Sequence, residues 1–235
     1  MAAPYVRQTA TIGRAIQLSV YGTIVCLGDS LTHGARDEYG RGFPFELSDL
    51  LSEKFVQDWV CADEGVNGDT SSDVLRRAIN ACKKYSEAHE YVLLVGTNDS
   101  KDSVATPAMV YRQNLLGILR IMRVYRKFPY LCTIPLLQGF GAPDYTRHSN
   151  VRIRGYNEVL RQLALDDEVP LIELEELEFS AFVDGVHLGN GGNRAVAERI
   201  GAVIEETRRF EVLNQPTNDA PGTSPNFLTR LHKEA

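Results

Sequence analysis

Five short apolar runs, each followed by a segment of helical spacing, constrain this chain more than any other feature. The runs are residues 23–27, 59–62, 91–95, 130–134 and 169–174. Runs this short fit strands, and the unbroken apolar character of 91–95 fits a strand covered on both faces. Between them, apolar residues recur every three or four positions. Leu47, Leu50, Leu51 and Phe55 form one stripe; Val74, Leu75, Ala78, Ile79 and Cys82 form another. A long helix is predicted from the Thr106-Pro107 cap and first-turn proline to about Tyr125, another over 149–165 and a last over 193–208. Each stripe needs a sheet face to cover. Strands alternating with helices predict a parallel sheet between two helical layers, and we expect strand order 2-1-3-4-5. Open sheets of this kind bind ligands beyond the carboxyl ends of the strands, where the order reverses. In this order the reversal lies between strands one and three.

Length and composition set the frame. We expect one domain over 1–212 and an irregular tail over 213–235, where Pro216, Asn218, Pro221, Gly222 and Pro225 crowd together. Alternation over 9–20 predicts a short edge strand. The net charge of −6 argues against a nucleic-acid partner, which usually meets a basic face. No apolar run is long enough to span a bilayer, and no apolar stretch follows Arg7 and Arg14 as in a secretory signal. Cys26, Cys61, Cys82 and Cys132 contain no Cys-x-x-Cys pair. They fit buried reduced thiols and a cytoplasmic location better than metal ligation or disulfides.

Four polar motifs stand at the ends of four strands. The first run breaks off in Gly28-Asp29-Ser30, delivering a serine to a turn at the sheet edge. Asn67-Gly68 follows the second run, Gly96-Thr97-Asn98-Asp99 the third, and Asp184-x-x-His187 the fifth. Each has an ordinary reading. Ser30 also fits a helix cap, Gly68 and Asn98 fit turn positions, His187 fits a loop histidine, and Asp184 fits a cap for the last helix. Together, however, they hold every part that acyl transfer needs. Ser30 is a nucleophile, His187 a general base, and Asp184 the carboxylate that orients the imidazole. The backbone N–H groups of Ser30 and Gly68 and the Asn98 amide are donors for an oxyanion. Asp29 and Asp99 are expected to brace the two loops.

These four blocks, in this order between Gly28 and His187, resemble the signature blocks of the SGNH hydrolase (GDSL esterase/lipase) superfamily. The resemblance implies a flavodoxin-like three-layer α/β/α sandwich with a five-stranded parallel sheet. It implies Ser30 as nucleophile, Asp184 and His187 completing a triad, and Ser30, Gly68 and Asn98 as the oxyanion hole. It implies no metal and no organic cofactor. The expected activity is hydrolysis of short acyl esters, with O-acetylated carbohydrates as the first substrate class. A thioesterase or lysophospholipase would use the same residues, and a non-catalytic flavodoxin-like binding module would need none of them. The expected partner is a small ester substrate, and the oligomeric state is left open, a homo-oligomer included.

Other residues receive a structural reading. His33, His89 and His148 are read as surface or loop histidines. Arg36, Arg41 and Arg147 sit in loops within reach of the crevice, with solvation the default. Phe140 and Tyr145 fit either a substrate pocket or a loop's own packing. The run Glu173, Glu175, Glu176 and Glu178 reads as a solvated face.

Overall fold

The computed structural model describes residues 21–55, 58–139 and 143–213. The edge strand read over 9–20, the tail beyond 213 and Phe140 lie outside those residues. Five parallel strands form one sheet: β1 (Tyr21–Gly28), β2 (Asp58–Gly65), β3 (Glu90–Leu94), β4 (Phe128–Cys132) and β5 (Leu171–Ile172). Their order is β2-β1-β3-β4-β5, as the alternation predicts. The helices are α1 (Ser30–His33), α2 (Phe43–Phe55), α3 (Ser71–Lys84), α4 (Ala108–Val124), α5 (Pro143–Asp166) and α6 (Asn190–Leu213).

The period-two geometry of a strand sorts the apolar runs into two cores. Val25 and Leu27 of β1, with Tyr91 and Leu93 of β3, face α3, α4 and α5. Ile24 and Cys26, with Val92 and Leu94, face α2 and α6. The central strands are therefore apolar on both sides, and each buried leucine or valine contributes about 1.5–3 kcal/mol. All four cysteines are buried and unpaired. Among the described residues, no helix is long and apolar enough to cross a membrane.

Several boundaries differ from the sequence reading, each for a local reason. Strand β4 begins at Phe128 and so contains Pro129. Phe128 N–H donates to His89 in the neighbouring β3 connection, whereas Leu131 N–H donates to Pro170 on the β5 side. The missing donor of Pro129 falls on that second side, where β5 has not begun; β5 pairs only from Leu131 onward. Strand β5 is cut to two residues because the Thr133 hydroxyl, not the β4 backbone, accepts from Leu174 and Glu175 N–H. Thr106 does not cap α4. Pro107 is the cap residue, with no side-chain bond, and Thr106 serves the loop instead. Helix α5 starts at Pro143, so Tyr145 and His148 are helical rather than part of a loop. The glutamate run is not simply solvated, since Glu173 and Glu175 both hold Arg161, at 2.8 and 2.6 Å.

One contact carries the fold toward the ligand end of the sheet. Tyr111 of α4 and Tyr156 of α5 stack at 4.4 Å between ring centres, both fully buried. The Tyr111 hydroxyl donates to the Val95 carbonyl (2.7 Å), and Tyr156 reaches the carbonyls of Asp99 (3.1 Å) and Thr106 (2.5 Å). Two helices thus pin both ends of the loop after β3. Tyr156→Phe keeps the stack but takes the hydroxyl from the Thr106 carbonyl, while the Asp99 carbonyl keeps the Thr106 N–H, so urea unfolding is expected to show a loss of about 1–3 kcal/mol. Unchanged stability would mean that the loop is held by other contacts.

Candidate active site

Three adjacent strands end level with one another. Gly28 closes β1 opposite Gly65 of β2 and Leu94 of β3. The three loops that follow therefore start side by side above the sheet.

After β1 the chain turns at once into α1. Asp29 caps that helix, its carboxylate accepting from Leu31 N–H at 2.9 Å. Ser30 is thus the first helical residue, not the cap that its sequence context allows. Gly28 makes the sharp corner possible: a β-carbon there would run into the Leu94 carbonyl and the Thr32 hydroxyl. Ser30 Oγ lies 3.2 Å from His187 Nε2, and His187 Nδ1 lies 2.8 Å from Asp184 Oδ2.

His187 arrives on the loop before α6, which is folded on itself. Val183 N–H donates to the His187 carbonyl at 2.9 Å. Asp184 Oδ1 accepts from the N–H groups of Val186 (3.0 Å) and His187 (2.8 Å). Asp184 therefore caps its own turn and does not cap α6. Burial pushes its carboxyl up, but the bonds from the His187 backbone, the His187 ring and Val186 outweigh it. The net result lies below the ordinary carboxylate value, so Asp184 stays ionised beside the ring.

The other two loops bring Gly68 and Asn98 to the same crevice. Gly68 has φ of 86°, a left-handed position that favours glycine, and the space where a β-carbon would stand is open. Among the described residues, neither Ser30 N–H nor Gly68 N–H donates to any acceptor. Asn98 Nδ2 donates to the Asp69 carbonyl at 2.9 Å. A primary amide has two N–H donors, so one anchors Asn98 to the Gly68 loop and the other remains. Ser30, Gly68, Asn98 and His187 all line one cleft of about 520 Å³.

Asp29 and Asp99 lie behind it, both fully buried. Asp99 accepts from Ser71 N–H (2.8 Å) and Ser71 Oγ (2.6 Å), which ties the β3 loop to the start of α3. Burial raises both acids, Asp29 to about 7. Sequence reasoning missed Arg77 of α3. Its Nε donates to Asp69 Oδ2 at 2.6 Å and its Nη2 to the Gly28 carbonyl at 2.7 Å. A cation one position from Ala78, on the stripe that meets the sheet, was the available signal.

Of the remaining candidates, His33, Arg36 and Tyr145 line the cleft, as does Lys101, which the sequence did not single out. His33 is exposed, as the sequence reading has it, with Nδ1 3.0 Å from Asp63. Arg36 Nε lies 4.0 Å from Asp184 Oδ2. Arg41 lies over the Phe45 ring, and His89, Arg147 and His148 are exposed. Among the described residues, no group of three or more His, Cys, Asp or Glu side chains is arranged to hold a metal ion.

The profile of the GDSL-like lipase/acylhydrolase family matches residues 26–221. No curated protein sequence matches the chain. Several solved structures are similar. A lipase/acylhydrolase from Enterococcus faecalis is 21% identical, with a TM-score of 0.67, covering 80% of this chain and 96% of the other. A carbohydrate acetylesterase family member from Sinorhizobium meliloti is 19% identical, with a TM-score of 0.67, covering 79% and 98%. An inhibitor-bound aryl esterase from M. smegmatis is 17% identical, with a TM-score of 0.66, covering 80% and 99%. At these identities the likeness speaks to the fold.

The raised Asp29 carboxyl makes stability depend on pH with a definite sign. Its ordinary value is 3.8 and its folded value about 7, so between them the folded state holds a proton that the unfolded state releases. The stabilisation is complete below the lower value and is lost as pH rises through the upper one. Asp29→Asn cannot titrate. Wild type is therefore expected to lose up to about 4 kcal/mol relative to Asp29→Asn between pH ~4 and ~8, measured by urea unfolding. Parallel curves for the two proteins would show that Asp29 is ionised in both states.

Proposed function

This chain belongs to the GDSL-like lipase/acylhydrolase family and is a carboxylic ester hydrolase, and from that premise we propose that it acts through Ser30 by an acyl-enzyme mechanism. The observation that carries the reading is the line from Ser30 Oγ to His187 Nε2 to Asp184, at 3.2 and 2.8 Å.

Ser30 Oγ attacks the ester carbonyl while His187 Nε2 takes the hydroxyl proton. Asp184 holds Nδ1–H, fixes the tautomer and stabilises the imidazolium as it forms. The carbonyl oxygen becomes negative in the tetrahedral intermediate. The unused N–H groups of Ser30 and Gly68 and the second N–H of Asn98 are the donors it meets. Collapse breaks the bond to the alcohol, which leaves with the proton from His187. Water then repeats the sequence on the acyl-Ser30 ester, with His187 again taking a proton, and releases the carboxylic acid and free Ser30.

The cleft supports a small, polar substrate. Its apolar side chains, chiefly Leu137, Tyr145 and Val186, are too few to sheathe a long acyl chain. The similar Sinorhizobium meliloti structures are described as carbohydrate acetylesterases. A short acyl group on a carbohydrate hydroxyl is the substrate class we extend to this chain.

A fluorophosphonate probe is expected to label Ser30, with labelling abolished in His187→Ala. An unlabelled Ser30 in folded protein would overturn the serine mechanism. Asn98→Ala is expected to lower kcat on para-nitrophenyl acetate by about a hundredfold or more. Unchanged kcat would remove the Asn98 amide from the oxyanion hole.

A further inference from the structure

The cleft carries a charge that hydrolysis of a neutral ester does not use. The chain as a whole has a net charge of −6, yet Lys101 and Arg36 both line this one cavity. Among the described residues that line it, Asp37 is the one carboxylate, and its oxygens are already hydrogen-bonded. One oxygen accepts from Tyr39 and Arg41 N–H (2.9 and 3.0 Å), and the other from Asn193 Nδ2 (3.1 Å).

Lys101 is the distinctive member. It sits three residues after Asn98, on a turn anchored by its own N–H to the Asn98 carbonyl at 3.3 Å. Its backbone carbonyl is bonded in turn by Val104 and Ala105 N–H, at 2.9 and 2.7 Å, so the residue's base is held firmly. Its ammonium has no hydrogen bond or ion pair among the described residues, although carboxylates stand close by in the chain. Asp99 is spent on Ser71. Asp102 is spent on Arg152 (2.6 Å) and faces His148 at 3.6 Å. Lys101 is half-buried beside an oxyanion donor, and its nearest acids in the chain are bound elsewhere. Asp29, fully buried, feels its charge but forms no ion pair with it, so among the described residues the ammonium lacks a carboxylate partner.

We infer that this partner is on the substrate: the enzyme prefers esters that carry an anionic group, carboxylate or phosphate, and Lys101 is the residue that recognises it. Arg36 adds to the field around that group, and Asp184, 4.0 Å from it, partly neutralises it, so Lys101 dominates. The inference rests on the serine esterase reading above and adds the charge of the substrate to it.

The test uses matched esters that differ in charge. On the acyl side, the mono-para-nitrophenyl ester of glutaric acid is paired with para-nitrophenyl pentanoate. On the alcohol side, para-acetoxybenzoate is paired with its methyl ester, and para-acetoxyphenyl phosphate extends the series to a phosphate. Wild type is expected to favour at least one anionic ester over its neutral partner by about tenfold or more in kcat/KM, as a charged hydrogen bond allows. Which ester is favoured identifies the position and kind of anion. In Lys101→Gln that ratio is expected to collapse toward one, and in Lys101→Arg to be largely restored. Raising ionic strength should shrink the wild-type ratio. A wild-type preference for the neutral esters, or a ratio unchanged in Lys101→Gln, overturns the inference while leaving Ser30 labelling and neutral-ester turnover intact. Absence of both labelling and turnover overturns the esterase reading and this inference together.

Discussion

The Arg77 guanidinium joins two loops that the chain supplies from different strands. One arm holds the Gly28 carbonyl, immediately before Asp29 and Ser30; another holds Asp69, immediately after Gly68. Asp69 in turn offers its carbonyl to Asn98. A single cation on α3 thereby sets the spacing of the Ser30 turn and, at one remove, of the Gly68 and Asn98 loops. Charge-assisted bonds of this kind are short and directional, as the oxyanion hole proposed for these groups requires. Without that brace, three separate loops would each have to find the common geometry by their own packing.

A second bracing layer lies deeper. Asp99 binds Ser71 through both oxygens, Ser71 Oγ accepts from Asn114, and Tyr156 caps the Asp99 carbonyl. These groups are buried, so their bonds exchange poorly with water and hold the β3 loop rigidly. Asp29 works differently. It has few partners and full burial, which raises its carboxyl to about 7. The acid beneath the serine is thus drawn toward its neutral form, while the acid behind the histidine keeps its charge. The two carboxylates shift in opposite directions because the burial of Asp184 is outweighed by the bonds it accepts, whereas the burial of Asp29 outweighs the N–H groups of Leu31 and Gly96.

The fold was legible where the sequence pattern is redundant. Strand order follows from alternation of strands and helices, and the two cores follow from the period-two split of the residues in β1 and β3. The pattern failed at β4 and β5, because whether Pro129 is tolerated depends on the partner strand's starting point. That is a property of the sheet, not of any window of residues. The start of α5 was missed because Pro143 signals a turn and a helix first turn equally well. In the site, Ser30, Gly68, Asn98, Asp184 and His187 were visible as motifs at strand ends. Arg77 and Lys101 were not, because a lone cation on a helix or turn looks the same in sequence whether it faces solvent, a carboxylate or a substrate.

By itself, the sequence determined the parallel three-layer architecture, the family to which the chain belongs, and the residues at the ends of the strands. Local chemistry sufficed for this: apolar periodicity decides which faces are buried, and glycine with short polar residues decides where the chain turns. Only the tertiary structure decided that Ser30 and His187, 157 positions apart, stand at hydrogen-bond distance. It alone decided that Arg77 knits the loops and that Lys101 lines the cleft without an ion pair among the described residues. Those facts depend on which groups remain unpaired once the chain has folded, and pairing is settled by distance in space.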